Sequence, residues 1–373
     1  MDVRVKSIFG EWAEQLQTMV DTNLDALKQP IFNRYFTMGT PSMSLDYATA
    51  VGRSRIEAAA SVVAHGSEAP LRSRAGLDKY SGEVASIKVK RKMDEADYRA
   101  YLVMQKMDMI NSPAIIKLIW DDVKYVVDSV NARLDYMCIQ ALSKGIISLS
   151  TTTNPDGIVP GDIDLLVTNK LATDAAFLGT TGSTRTWTAA NATTATIIQD
   201  IETVSRNALN TYGIRLGKIL MTSEKLWIVL NNTEVQNHLK GAGGIVSGQD
   251  ARFSLANLNG LLASLSLPVI ELIDTRIAIE SDGARTVSNP WPDKKYVTFA
   301  PEGQLGIIHN AYAIEQVTPV QGVDYATANS VLVSKWAQTE PFGEFTRGEL
   351  AAFPGLEAAD QLYMVNTEHQ TTF

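Results

Sequence analysis

The residues of this chain that could do chemistry are four histidines, one cysteine, a few glycine-rich turns and an adjacent pair of aspartates. His65, His238, His309 and His369 each fall in a different segment. A zinc site needs ligands at close spacing, as in His-Glu-x-x-His, so that one helix turn brings both rings to one ion, and no such spacing occurs. The Gly-x-Ser-x-Gly turn that presents a hydrolase serine is absent; Ser247-Gly248 and Ser281-Asp282-Gly283 match parts of it. The run from Gly241 to Gly248 has the look of a phosphate cradle, but it lacks the Gly-Lys-Ser/Thr ending and no strand leads into it. It reads as a loop. The stretch Gly213 to Lys218 has the wrong glycine spacing and no Ser or Thr after its lysine. Asp121 and Asp122 could act as acid and base only by converging on one atom, whereas adjacent helical positions diverge by about 100°. They read as part of a solvated face. Asn191-Ala192-Thr193 and Asn231-Asn232-Thr233 are glycosylation triplets, which matter only in a secreted chain. A lone Cys138 allows neither an internal disulfide nor a cysteine-cluster metal site, and it reads as a small apolar residue in a helix interface. No catalytic residue, no cofactor site and no metal site is therefore expected, which disfavours an enzyme.

The element that organises the rest is the stretch from Ser112 to Gly145. Ser112 suits the N-cap, Pro113 the first helical position, and Gly145 the left-handed residue after Lys144 at the dipole's negative end. Ile116, Ile119, Val123, Val126, Val130, Leu134, Met137 and Ala141 recur at helical spacing. Ile115, Trp120, Val127, Cys138 and Leu142 widen that stripe. Asp121, Asp122, Lys124, Asp128, Arg133 and Asp135 are expected on the remaining surface. At 1.5 Å per residue the rod is roughly 45–50 Å long. A rod of that length is a strut.

Around it the chain reads as follows. Residues 1–29 carry an amphipathic pattern (Val5, Ile8, Trp12, Leu16, Met19, Val20, Leu24, Leu27) stopped by Pro30. This is either an arm packed on a neighbour or a helix docked on its own domain. From Gly52 to Lys92 nine Lys and Arg face four acids, a local +5 in a chain of net charge −8. Gly66, Pro70, Gly76 and Gly82 punctuate the stretch, and Ala85, Ile87 and Val89 alternate with Ser86, Lys88 and Lys90 as in a half-exposed strand. A basic ribbon with little core of its own needs a surface to lie on, and the acidic body of another copy is one; a nucleic-acid finger and a solvated loop are the rivals. Residues 94–107 form a short helix and 146–150 a strand. The segment 151–195, rich in Thr, Asn, Gly and Ser, offers little core and reads as an irregular connection with short strands such as Ile163–Val167. A helix runs from Thr196 to Gly213, then a strand over 218–221, a helix from Ser223, and strands at 269–273, 296–300 and 306–309. This mixture makes an α+β unit over 196–325. The strands at 331–336 and 362–365 read as short pieces isolated by Pro341, Gly343, Pro354 and Gly355.

Length favours two or three domains, and 45% hydrophobic content is ample for a core. The negative charge, with a pI near 5.2, argues against a protein that wraps nucleic acid by a general basic surface. No apolar run approaches the ~20 residues of a membrane span. The start Met1-Asp2-Val3-Arg4 lacks a signal-peptide core, so folding in the cytoplasm is expected.

The order of elements resembles the major capsid protein of tailed bacteriophages, of the Hong Kong 97 type and its lambda-type branch. Leu71-Arg72-Ser73-Arg74-Ala75-Gly76 resembles that family's ribbon region, and Asn131-Ala132-Arg133-Leu134-Asp135-Tyr136-Met137 the end of its long helix. Lys295-Tyr296-Val297-Thr298-Phe299-Ala300-Pro301-Glu302-Gly303 resembles its strand running into a glycine turn, and Val333-Ser334-Lys335-Trp336 its late strand. The resemblance implies an N-terminal arm (1–51), an extended β-ribbon loop (52–93) and a peripheral domain (94–195) holding the long spine helix 112–145. It further implies an axial domain (196–325) and C-terminal strands (326–373) returning to the peripheral domain. The implied function is self-assembly into hexamers and pentamers of an icosahedral head in the virion, formed in the host cytoplasm and enclosing double-stranded DNA without specific recognition. Arg72, Arg74, Lys79, Lys88, Lys90 and Arg91 are then the candidates for contact between subunits. A separate scaffold protein, a portal and a decoration protein are the implied partners, with no membrane and no cofactor. Crosslinking between subunits is not carried over, because nothing marks a partner for Lys79 or Lys88. The alternatives are a cellular nanocompartment shell of the same fold and a cytoplasmic α+β enzyme.

Overall fold

The computed structural model describes residues 17, 20–21, 27–51, 78–106, 113–158, 161–172, 185–242, 253–281, 283–340, 342–368 and 373. Its first half contains β1 (Phe36–Met38), β2 (Asp46–Val51), β3 (Asp78–Glu83), β4 (Ser86–Met93), α1 (Glu95–Lys106) and α2 (Pro113–Lys144). Then come β5 (Ile146–Leu149), β6 (Gly161–Asp164), β7 (Asn169–Ala172), α3 (Ile197–Tyr212) and β8 (Leu216–Met221). Three helices follow, α4 (Ser223–Leu230), α5 (Thr233–Ala242) and α6 (Leu255–Ser264), and then β9 (Val269–Leu272), β10 (Ile277–Ser281) and β11 (Ala284–Ser288). The last strands are β12 (Tyr296–Pro301), β13 (Gly306–Ala311), β14 (Asp324–Ala328), β15 (Val331–Thr339), β16 (Phe342–Gly355) and β17 (Tyr363–Asn366).

α2 has the expected extent: 32 residues, or about 48 Å at 1.5 Å each. Its C-terminus is built as expected, with Gly145 at φ 66° and its N–H donating to Ala141 O at 3.0 Å. The expected N-cap, Ser112, lies outside the described residues.

The chain divides into two compact units. One draws on residues 1–47, 81–136 and 307–354. Its sheet runs β1-β13-β16-β15-β14, with β4 also paired to β16. β16 is 14 residues long and corrects the expectation of short strands isolated by Gly343, Pro354 and Gly355, all three of which lie within it. Glycine at 348 has a packing reason. A Cβ there would lie 3.0 Å from the carbonyl oxygen of Val126, so strand and helix backbone meet at that point. The facing stripe of α2 (Val123, Val126, Val127, Val130, Leu134) is fully buried.

Two aspartates expected on the solvated surface of α2 are buried instead, Asp122 at 7% exposure and Asp135 at 3%. Asp135 is needed by the backbone: its Oδ1 accepts from Phe32 N at 2.8 Å. Val20, Leu27, Phe32, Tyr35 and Phe36 are also buried. At these residues the N-terminal stretch is docked on its own unit; apart from Gln17 and Asp21, the remainder of residues 1–26 lies outside the described residues. Tyr47 stacks between Phe353 and His309, with ring centroids 5.2 and 4.9 Å away.

The second unit draws on residues 48–80, 137–306 and 355–373. Its sheet runs β7-β17-β12-β8-β9, and one hydrophobic core gathers residues of α3 to α6 against it. α3 is closed by Gly213 at φ 67°, and α6 is opened by a reciprocal Ser254–Asn257 capping box. β17 pairs with β12 and, in parallel, with β7, so the last strand of the chain belongs to this unit's sheet. The expectation that 151–195 packs little core is overturned by Trp187, 2% exposed, and by Leu165 and Val167. β6 takes in only Ile163 and Asp164 of the predicted strand Ile163–Val167; 165–167 are irregular, and β7 follows from Asn169. Gly241 and Ala242, read as loop, end α5, while 243–250 lie outside the described residues.

Asp200 shows how this core handles a charge. It accepts from Trp187 Nε1 at 2.9 Å, and burial pushes its carboxyl up to about 6 although Trp187 and Arg185 pull the other way. A carboxyl raised in the folded state stabilises the fold at low pH, and that contribution is lost as pH rises through about 6. Asp200→Asn removes the titration. The variant is expected to gain ~2–3 kcal/mol relative to the parent between pH 3.5 and pH 7.5 in paired urea melts. A constant difference across that range would contradict this.

Candidate assembly surface

β4 carries three of the residues expected to contact another copy, and it is a full member of a sheet. It pairs with β16 from Ser86↔Ala351 to Met93↔Glu344. Alternation then sends its side chains to two faces. On one face Lys88 Nζ lies 2.9 Å from Glu349 Oε1, and Lys90 Nζ sits 4.9 Å from the centre of the Phe345 ring. Phe345 stacks on Trp336 at 5.6 Å. Arg347, 5.7 Å from the Trp336 ring, is bonded to Glu315 and lies 3.5 Å from Glu349. Arg347 thereby holds the Glu315 carboxyl below the usual range.

The other face points to α2. Arg91 there lies 3.2 Å from Asp122 with its guanidinium 5.0 Å from the Tyr125 ring. Lys335 and Glu344, both 1% exposed at the side chain, are 3.6 Å apart. Burial pulls Lys335 down, against the opposing pull of Glu344 and Asp122. Burial pushes Asp122 up, against Lys335 and Arg91. These charges brace α2, β4, β15 and β16 against one another. Reading residue by residue misses this cluster because its members lie far apart in the chain. One signal was present: Val331, Val333 and Lys335 share a face of β15, and two inward valines imply an inward lysine.

Of the six expected contact residues, Lys88, Lys90 and Arg91 thus have partners inside the chain, and Lys88 keeps 51% of its side chain exposed. Lys79 is in β3, with its side chain outside the description, and Arg72 and Arg74 lie outside the described residues. Structure adds an apolar margin that the sequence did not suggest. Met43, Tyr312, Ile314, Val317 and Val320 are 43–75% exposed, and Tyr312 N bonds Ser42 O at 3.0 Å, which ties the two segments together. Exposed apolar clusters of this kind mark surfaces for association. Among the described residues no group of three or more His, Cys, Asp or Glu is arranged to hold a metal. Among them, too, no helix is long and apolar enough to cross a membrane.

A family model described as phage major capsid protein E matches residues 16–365. Among solved structures, the chain is similar to a prophage protein of E. coli CFT073 assigned as a capsid protein. The identity is 12% and the TM-score 0.56, over 95% of this chain and 98% of that one. It is also similar to a phage-related protein of Bordetella bronchiseptica RB50, at 12% identity and a TM-score of 0.53, over 94% and 96% of the two chains. No curated protein matches it.

Proposed function

The chain belongs to the phage major capsid protein E family and is a structural shell protein of a phage head; we propose that it works by self-association into hexamers and pentamers that close an icosahedral shell around double-stranded DNA. Its α+β fold is of the Hong Kong 97 type. The observation that carries the reading is the family match over nearly the whole chain. That match does not favour a nanocompartment shell or a cytoplasmic enzyme.

Charge supports the proposal. A net −8 chain repels packaged phosphates and so encloses DNA without trapping it. The +5 stretch from Gly52 to Lys92 is complementary to that acidic body, which suits contact between copies and fixes their register. In this proposal Arg72, Arg74 and Lys79 make such contacts, and Lys88, Lys90 and Arg91 brace the strand from which the ribbon leaves. The unit built on β12 serves as the axial domain, with 196–306 and β17 as its main parts, and the unit built on β16 serves as the peripheral domain. Partners are further copies, a separate scaffold protein, a portal and a decoration protein, in the virion.

Reversing Arg72 and Arg74 to Glu together tests the ribbon's part. Sedimentation velocity is expected to show loss of ring-sized and larger species, while the melting curve of the single chain stays unchanged. Assembly at the parent's level would remove these arginines from the interface.

A further inference from the structure

We propose that the outer edge of β14 accepts an extended segment of a second copy of this chain, and that the side-chain amide of Gln17 closes that edge in the single chain. β14 ends its sheet, with β15 on one side and, among the described residues, no strand on the other. The pair closes at Ala328↔Val331 on a two-residue turn, Asn329 and Ser330, with φ of 46° and 70°. Such a turn closes on residues that exchange both backbone hydrogen bonds, and inward and outward residues alternate from there. Thr327 therefore turns its N–H and C=O away from β15, as does Tyr325 two residues earlier.

Gln17 fills the position at Thr327. Thr327 N–H donates to Gln17 Oε1 at 2.8 Å, and Gln17 Nε2 donates to Thr327 O at 3.0 Å. The second Nε2 hydrogen goes to Asp21 Oδ1 at 2.8 Å, one helical turn along, which sets the way the amide faces. One amide that donates to and accepts from a single edge residue reproduces what one residue of an added antiparallel strand does with its own N–H and C=O. The edge thus already carries half the bonding pattern of strand addition, supplied by a side chain. Gln17 and Thr327 are both exposed, so water competes for these bonds and an entering strand can replace them. An open edge pairs with whatever strand it meets, and in a growing shell the abundant strand is that of a sister chain. The inference rests on the assembly reading above.

Proline is tolerated on an edge strand where its missing N–H would have faced outward. Thr327→Pro is therefore expected to keep the parent's circular dichroism and to put at least tenfold less protein into particles by sedimentation velocity. Gln17→Ala is expected to shorten the assembly lag severalfold. By hydrogen exchange its Thr327 amide should exchange at least tenfold faster than the parent's in free chains, and slowly again in particles. Normal assembly of Thr327→Pro overturns the proposal, and so does a Thr327 amide that stays fast in Gln17→Ala particles. Unchanged exchange in free Gln17→Ala chains also overturns it, and that comparison holds even if Thr327→Pro does not fold. Absence of particles from the parent chain itself contradicts the assembly reading instead.

Discussion

Lys335→Met is expected to lower folding stability by about 3–5 kcal/mol, because it takes the cation from carboxylates that stay buried. Lys335 and Glu344 are 1% exposed at the side chain, and Asp122, shared with Arg91, is 7% exposed. Ordinary folding free energies are about 5–15 kcal/mol, so the loss should be plain in a urea melt. The pair is tested by adding Glu344→Gln. Once the lysine is gone the neutral amide suits its burial better than the carboxylate, and the double variant is expected to recover at least about 1 kcal/mol. Strictly additive losses would mean that the two side chains do not interact.

Gly348→Val should be nearly as damaging for a different reason. The first added carbon would lie 3.0 Å from Val126 O and 3.1 Å from its Cβ. These atoms belong to a helix whose facing stripe is fully buried, so the strand cannot be given room without moving the rod. Overpacking costs about 1–3 kcal/mol in ordinary cores; Gly348→Ala should fall in that range and Gly348→Val at or above its top. Equal stability of all three chains would show that β16 and α2 do not meet closely at this residue.

What could be read from the sequence was what is encoded locally. The extent of α2 and its Gly145 end follow from spacing and a cap residue, as do the limits of α3 at Thr196 and Gly213. β16 escaped because it is buried along most of both faces, which erases alternation, and because Gly343, Gly348 and Pro354 look like breakers in isolation. Gly348 is small for the sake of a helix more than 200 residues earlier, a relation no local pattern contains. The parallel pairing of β7 with β17 and the burial of Trp187 are nonlocal in the same sense.

The charged surface around β4 was legible in part. Lys88, Lys90 and Arg91 were picked out by charge and alternation, yet Glu349, Phe345 and Asp122, which hold them, become visible only when β4 is laid against β16. Asp122 looked solvated beside Asp121 because the burying partner, Lys335, arrives from the far end of the chain. Conversely, the Asn329–Ser330 turn and the glutamine at 17 carry no signal until both are placed at one sheet edge.

Electron microscopy of the purified chain at concentrations that drive association tests the central claim most directly. The account predicts closed icosahedral shells built from six- and five-membered rings. Single compact chains at every concentration, with neither rings nor shells, would contradict it.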